Sequence, residues 1–124
     1  MKFTSFSFVA YAITDVAKSR AFYEGVLGLK AGSVWEGEGM AFIEYAVGQD
    51  TLVIGKGAPQ FTPGKTGATA TLETDDFDGA VSELRASGVK LLMEPHETPV
   101  CHMALIEDPD GNQIMIHRRK APAK

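Results

Sequence analysis

The sequence predicts an α+β fold made of two βαβββ modules. Three observations point there: an internal repeat, a Gly/Pro-rich linker at its midpoint, and the same order of strand and helix patterns on either side. Thr14-Asp15 recurs as Thr74-Asp75, Gly28-Leu29-Lys30 as Gly88-Val89-Lys90, Asp50 as Asp110 and Ile54 as Ile114, at a spacing of about sixty residues. Two copies are too few for a solenoid, so the repeat reads as one pseudo-symmetric domain. The expected bounds are 1–56 for the first module, 57–67 for the linker, 68–118 for the second module and 119–124 for a tail.

In the first module, Phe6 to Ile13 alternates and is rich in β-formers, which predicts a strand. Asp15 then caps a helix with Val16, Tyr23 and Leu27 near the helical period, stopped at Gly28. Three short strands follow over 30–36, 40–47 and 51–56, punctuated by Gly37, Gly39 and Gly48. The linker runs from Gly57 to Gly67 and carries Pro59 and Pro63. The second module repeats the order. A strand covers 68–73, and Asp75 is expected to cap a helix with Phe77, Ala80, Val81 and Leu84 on one face. Strands follow near 89–94, 100–107 and 113–118, the last two joined by the turn Asp108-Pro109-Asp110-Gly111.

Alternation sorts each strand into faces. Val9, Tyr11 and Ile13 suit the side under the helix, leaving Phe8, Ala10 and Ala12 opposite; Ala70 and Leu72 go under the second helix, leaving Thr69, Thr71 and Glu73. In the closing strand Ile114 and Ile116 face the helix, so Gln113, Met115 and His117 face away. The second face is small, mixed and polar, as a ligand-facing sheet would be.

Composition excludes several classes. With 44% hydrophobic and 23% charged residues the chain lies far from disorder, and 124 residues suffice for one compact domain. A net charge of −4 repels nucleic acid, and the run His117-Arg118-Arg119-Lys120 is read as a solvated tail. No stretch approaches the roughly 18 apolar residues of a membrane span. The single cysteine, Cys101, fits a reducing compartment, and Ser5 and Ser7 interrupt the apolar N-terminal stretch, so the expected location is cytoplasmic.

Asp15 to Tyr23 followed by Val26-Leu27-Gly28-Leu29, with Asp75-Asp76-Phe77-Asp78-Gly79-Ala80-Val81 and Asp108-Pro109-Asp110-Gly111-Asn112, resembles the vicinal oxygen chelate superfamily. That group includes glyoxalase I, bleomycin-resistance and fosfomycin-resistance proteins and extradiol dioxygenases. The resemblance implies sheets curved into paired cups, a site inside each cup, and a homodimer. Metal-dependent members take ligands from four strand positions, which carry over to Phe8, Gly55, Thr69 and Met115. None suits the hard divalent ions of that chemistry, so neither metal nor cofactor is expected. Met115 is instead read as part of an adaptable pocket wall.

The remaining candidates come from the residues. Trp35, next to Glu36-Gly37-Glu38-Gly39, is placed at the rim of a cup, and Glu44 and Glu73 on strands are placed for a ligand, because burying a carboxylate alone is costly. Cys101 and His102 point to opposite faces, so they form no nucleophile–base pair; His102 is a ligand candidate. The expected ligand-contacting set is Phe8, Trp35, Glu44, Thr69, Glu73, His102 and Met115, with Glu44 and His102 as the catalytic candidates if there is catalysis. The segment 93–99, with His96 and two carboxylates, is expected to be a surface loop.

The function expected from this reading is metal-independent binding of a hydrophobic or cationic small molecule in a cleft. The alternative is a glyoxalase-like lyase or isomerase, or a transferase, acting on a small oxygenated metabolite. It would use acid–base residues or a displaced metal site around Glu44, His102 and His117. A non-catalytic subunit whose cups serve only dimerisation is a third possibility.

Overall fold

In a computed structural model of the chain, residues 1–4, 6–58, 62–64, 68–99 and 101–120 are described. The chain divides into two compact units, Met1–Gly64 and Lys65–Lys124. Unit 1 contains β1 (Val9–Ala12), α1 (Val16–Arg20) continuing as a π-helical stretch (Ala21–Val26), β2 (Ala31–Gly37), β3 (Met40–Val47) and β4 (Asp50–Lys56). Unit 2 contains β5 (Ala70–Glu73), α2 (Phe77–Ala86), β6 (Leu91–Glu97), β7 (Cys101–Glu107) and β8 (Gln113–Arg119). Each unit carries one four-stranded mixed sheet, ordered β1-β4-β3-β2 and β5-β8-β7-β6, with one parallel pair closing an antiparallel meander. The fold class is α+β.

One face of each sheet makes the core. In unit 1, Ile43, Tyr45 and Ile54 are fully buried, joined by Tyr11 and Leu52. Burying each large side chain is worth about 1.5–3 kcal/mol. Asp15 caps α1 by accepting from the Lys18 amide at 3.0 Å. The helix then widens, with the Leu27 amide bonding the Phe22 carbonyl five residues back. The wide turn carries the neighbours Phe22 and Tyr23 both into the core, where their rings meet edge to face at 5.1 Å and Tyr23 stacks on Tyr45.

Tyr45 donates its hydroxyl to Glu24 at 2.9 Å, and Arg20 reaches the same carboxylate at 2.6 Å. The Arg20 guanidinium, assisted by that hydroxyl, holds the Glu24 carboxyl below the usual carboxylate range. A depressed folded-state value contributes stability that is complete above the ordinary value near 4.5 and is lost as pH falls through the folded one. Acid unfolding followed by circular dichroism is therefore expected to lose part of its slope below pH 4.5 in Glu24→Gln.

Several expectations are corrected. β1 starts at Val9 rather than Phe6, and Phe6 and Phe8 stand exposed before it. Asp76, not Asp75, caps α2, accepting from the Gly79 amide at 3.0 Å. α2 starts at Phe77, which puts Asp76 at the N-cap, and its carboxylate sits so close over Gly79 that a Cβ there would come within 2.2 Å. The segment expected as a loop over 93–99 is strand as far as Glu97. β6 lies at the sheet edge, where Pro is tolerated, and its register against β7 shifts between Met93 and His96, the stretch that holds Pro95. Arg119 belongs to β8 rather than to a solvated tail. Of the expected linker, 59–61 and 65–67 lie outside the described residues, as does the end of the tail, 121–124.

Candidate functional site

The second face of the unit 1 sheet is a hollow. Cross-strand register sets Trp35 beside Phe42, Phe42 beside Gly55 and Gly55 beside Ala12, with Glu44, Val53 and Ala10 in an adjacent row. Large side chains thus come from β2 and β3 and small ones from β4 and β1. The floor is low where Gly55, Val53 and Ala10 meet, and Phe42, Glu44 and the exposed Phe8 bound it. The cavity measures about 340 Å³, within the range of small-ligand pockets. A second hollow of about 340 Å³ around Thr14, Lys56 and Pro63 shares Gly55.

Phe42 depends on its neighbour being glycine. A Cβ on Gly55 would lie 2.9 Å from the Phe42 ring, inside van der Waals contact. The ring therefore occupies space that any side chain at 55 would need. Trp35, half exposed at 50%, follows with its ring centroid 6.0 Å from that of Phe42. Glu44 is exposed and takes no part in the ion pairs found among the described residues. The hollow presents aromatic faces and one unpaired carboxylate, the surface that a planar or cationic group finds favourable.

A family model for the glyoxalase/bleomycin resistance protein/dioxygenase superfamily matches residues 5–116. The chain belongs to this superfamily.

Solved structures of the superfamily's fold agree. The antibiotic-binding protein TnmS3 from Streptomyces sp. CB03234 is 25% identical, with a TM-score of 0.82 over 97% of this chain and 99% of that one. A glyoxalase/bleomycin resistance protein from the same organism is 27% identical, with a TM-score of 0.75 over 90% and 98%. A virulence protein from Salmonella typhimurium, 23% identical with a TM-score of 0.76 over 95% and 98%, shares the fold. No curated protein sequence matches the chain.

Metal-dependent members of the superfamily use the strand positions that carry over to Phe8, Gly55, Thr69 and Met115. Here those positions offer a phenyl ring, no side chain, a hydroxyl before β5 and a thioether on β8. That donor set does not fit a hard divalent ion. Among the described residues no three His, Cys, Asp or Glu side chains gather as a metal site.

In unit 2 the second face carries two rows, Thr71-Met115-Leu105-Met93 and Glu73-His117-Met103-His96, each set by register across β5, β8, β7 and β6. His102 lies on the other face, its ring 5.5 Å from Phe77 of α2. Glu73 and His102 therefore cannot act together as an acid–base pair, because they stand on opposite faces of one sheet. The displaced metal site loses its centre likewise, since His117 and His102 are also on opposite faces.

Two features escaped sequence reasoning. Phe42 carries no local signal of its role, although it sits two residues from Glu44 on β3 and so shares its face. The pairing of Glu73 with His117, Oε1 to Nδ1 at 2.6 Å, depends on a parallel register that no local pattern encodes.

Proposed function

We propose that this protein binds a small molecule without the help of a metal, holding a hydrophobic or cationic ligand in the hollow of unit 1. One observation carries the reading: Phe42 fills the space over Gly55, so a ligand position of metal-dependent relatives is given over to an aromatic wall. The unpaired Glu44 and the net charge of −4 favour a cationic group on the ligand. The likeness to a protein described as antibiotic binding supports the same class of ligand site. We read the working form as a cytoplasmic homodimer, with Cys101 reduced. No helix among the described residues is long and apolar enough to cross a membrane. Phe8 and Trp35 remain part of the proposed contact set of this hollow; His102, packed on Phe77 of unit 2, does not.

Trp35 is the sole tryptophan, so its emission reports on this hollow. Titration with proflavine, a planar cation, is expected to quench Trp35 saturably. Glu44→Gln should weaken proflavine several-fold, about 1 kcal/mol, and leave the affinity of neutral anthracene derivatives unchanged. Emission that stays indifferent to both ligand types would contradict the reading.

A further inference from the structure

The Glu73–His117 pair on unit 2 is placed as a proton-accepting group is placed. Both oxygens of Glu73 are committed: Oε1 to His117 Nδ1 at 2.6 Å and Oε2 to the backbone amide of Arg119 at 2.6 Å. The backbone is tied as well, since the Thr74 amide donates to the His117 carbonyl at 2.9 Å. The Arg119 amide, and after it the imidazole, hold the Glu73 carboxyl below the usual carboxylate range, so it is ionised near neutral pH. An ionised carboxylate can only accept hydrogen bonds. The proton between the two groups therefore belongs to Nδ1, and in the neutral ring Nε2 carries the lone pair. Among the described residues the ring bonds only through Nδ1.

The surroundings suit an unsaturated ligand. His117 is 18% exposed while its partner Glu73 is 52% exposed, so the imidazole is sheltered but reachable. Met103 is its neighbour across β7, and Met115 and Leu105 fill the adjacent row. Thioethers pack favourably against aromatic rings. Among the described residues, the other charged or titratable groups on this face are His96 from β6, Cys101 and Glu107 from β7, with Glu107 at the far end beside Gln113, and Arg119 from β8, whose cation favours an anion nearby.

We infer that this pair forms a second binding site, for a small molecule with an acidic hydroxyl, a phenol or an enol, whose proton is accepted by His117 Nε2. The O–H bond breaks heterolytically and its proton forms a new N–H bond at Nε2. The oxygen keeps the electron pair as phenolate or enolate, held by that N–H. Glu73 keeps its hydrogen bond to Nδ1–H and balances the imidazolium charge. Glu73 is a positioning residue here; His117 makes the contact.

The test uses the full chain and 4-nitrophenol, whose phenolate absorbs apart from its neutral form. At a pH below the ionisation of the free probe, added protein is expected to raise the phenolate band saturably. His117→Gln should abolish the rise, and Glu73→Gln should weaken it about tenfold, with circular dichroism confirming that both variants are folded. 4-Nitroanisole, which has no proton to give, should not compete. Independently, ¹⁵N shifts of the His117 ring should report the Nδ1–H tautomer at neutral pH. An absent rise, a rise that survives His117→Gln, equal competition by 4-nitroanisole, or an Nε2–H tautomer would each overturn the inference. Because this site is read by probe absorbance and the hollow of unit 1 by Trp35 emission, either reading can fail alone.

Discussion

Asp108→Ala is expected to cost roughly 4 kcal/mol of stability and to lower the melting temperature by about 15 °C. Asp108 is buried in the turn between β7 and β8, and one carboxylate there satisfies three donors. Oδ1 accepts from the Asp110 and Asn112 amides, both at 2.9 Å, and Oδ2 from the Asn112 side-chain amide at 2.8 Å. Asn112 is itself buried, so removing the carboxylate strands its donors away from water, which is the expensive half of losing a hydrogen bond. Asp108→Asn should fall between alanine and wild type, because an amide can replace one acceptor oxygen but sets a donor against Asn112 Nδ2. Thermal melts of the three proteins check the order. A loss below 1 kcal/mol for alanine would show that water readily replaces the carboxylate.

Phe42→Ala is expected to weaken proflavine binding in the unit 1 hollow by about tenfold or more, near 1.4 kcal/mol. The ring is one wall of the cavity, the neighbour of Trp35 and the cover over Gly55, so its loss removes a stacking face and opens the floor. The converse substitution probes the same contact from below. In Gly55→Ala the new Cβ would meet the ring at 2.9 Å, so Phe42 must swing, and a destabilisation of about 1–3 kcal/mol is expected with a change in Trp35 emission. If Phe42→Ala bound the dye as tightly as wild type, the hollow would not be the ligand site.

How far the sequence could be read depended on whether a feature was local. The sixty-residue repeat, Gly28 and Gly88 after the helices, and the Asp108–Gly111 turn are local patterns, and they were enough for two βαβββ modules. Glu44 stood out because burying a lone carboxylate within a strand is costly, and Ile43 and Tyr45 beside it fill the core. What stayed hidden depends on pairing across strands. Phe42 matters because register sets it over Gly55, and Glu73 meets His117 because β5 and β8 run parallel with those residues opposed. Asp75 and Asp76 are equivalent by residue type as caps, and only the helix start at Phe77 chooses between them. Pro95 argued for a loop by composition, and edge position made it compatible with a strand.

Bound metal per chain, measured after dialysis against Zn(II), Ni(II), Mn(II) or Fe(II) and paired with a thermal melt of each sample, tests the central claim most directly. Phe8, Gly55, Thr69 and Met115 offer these ions too few nitrogen and oxygen donors, so far less than one ion per chain and an unchanged melting temperature are predicted. One ion retained per chain, with the melting temperature raised by several degrees as linkage to a tight ligand requires, would contradict it.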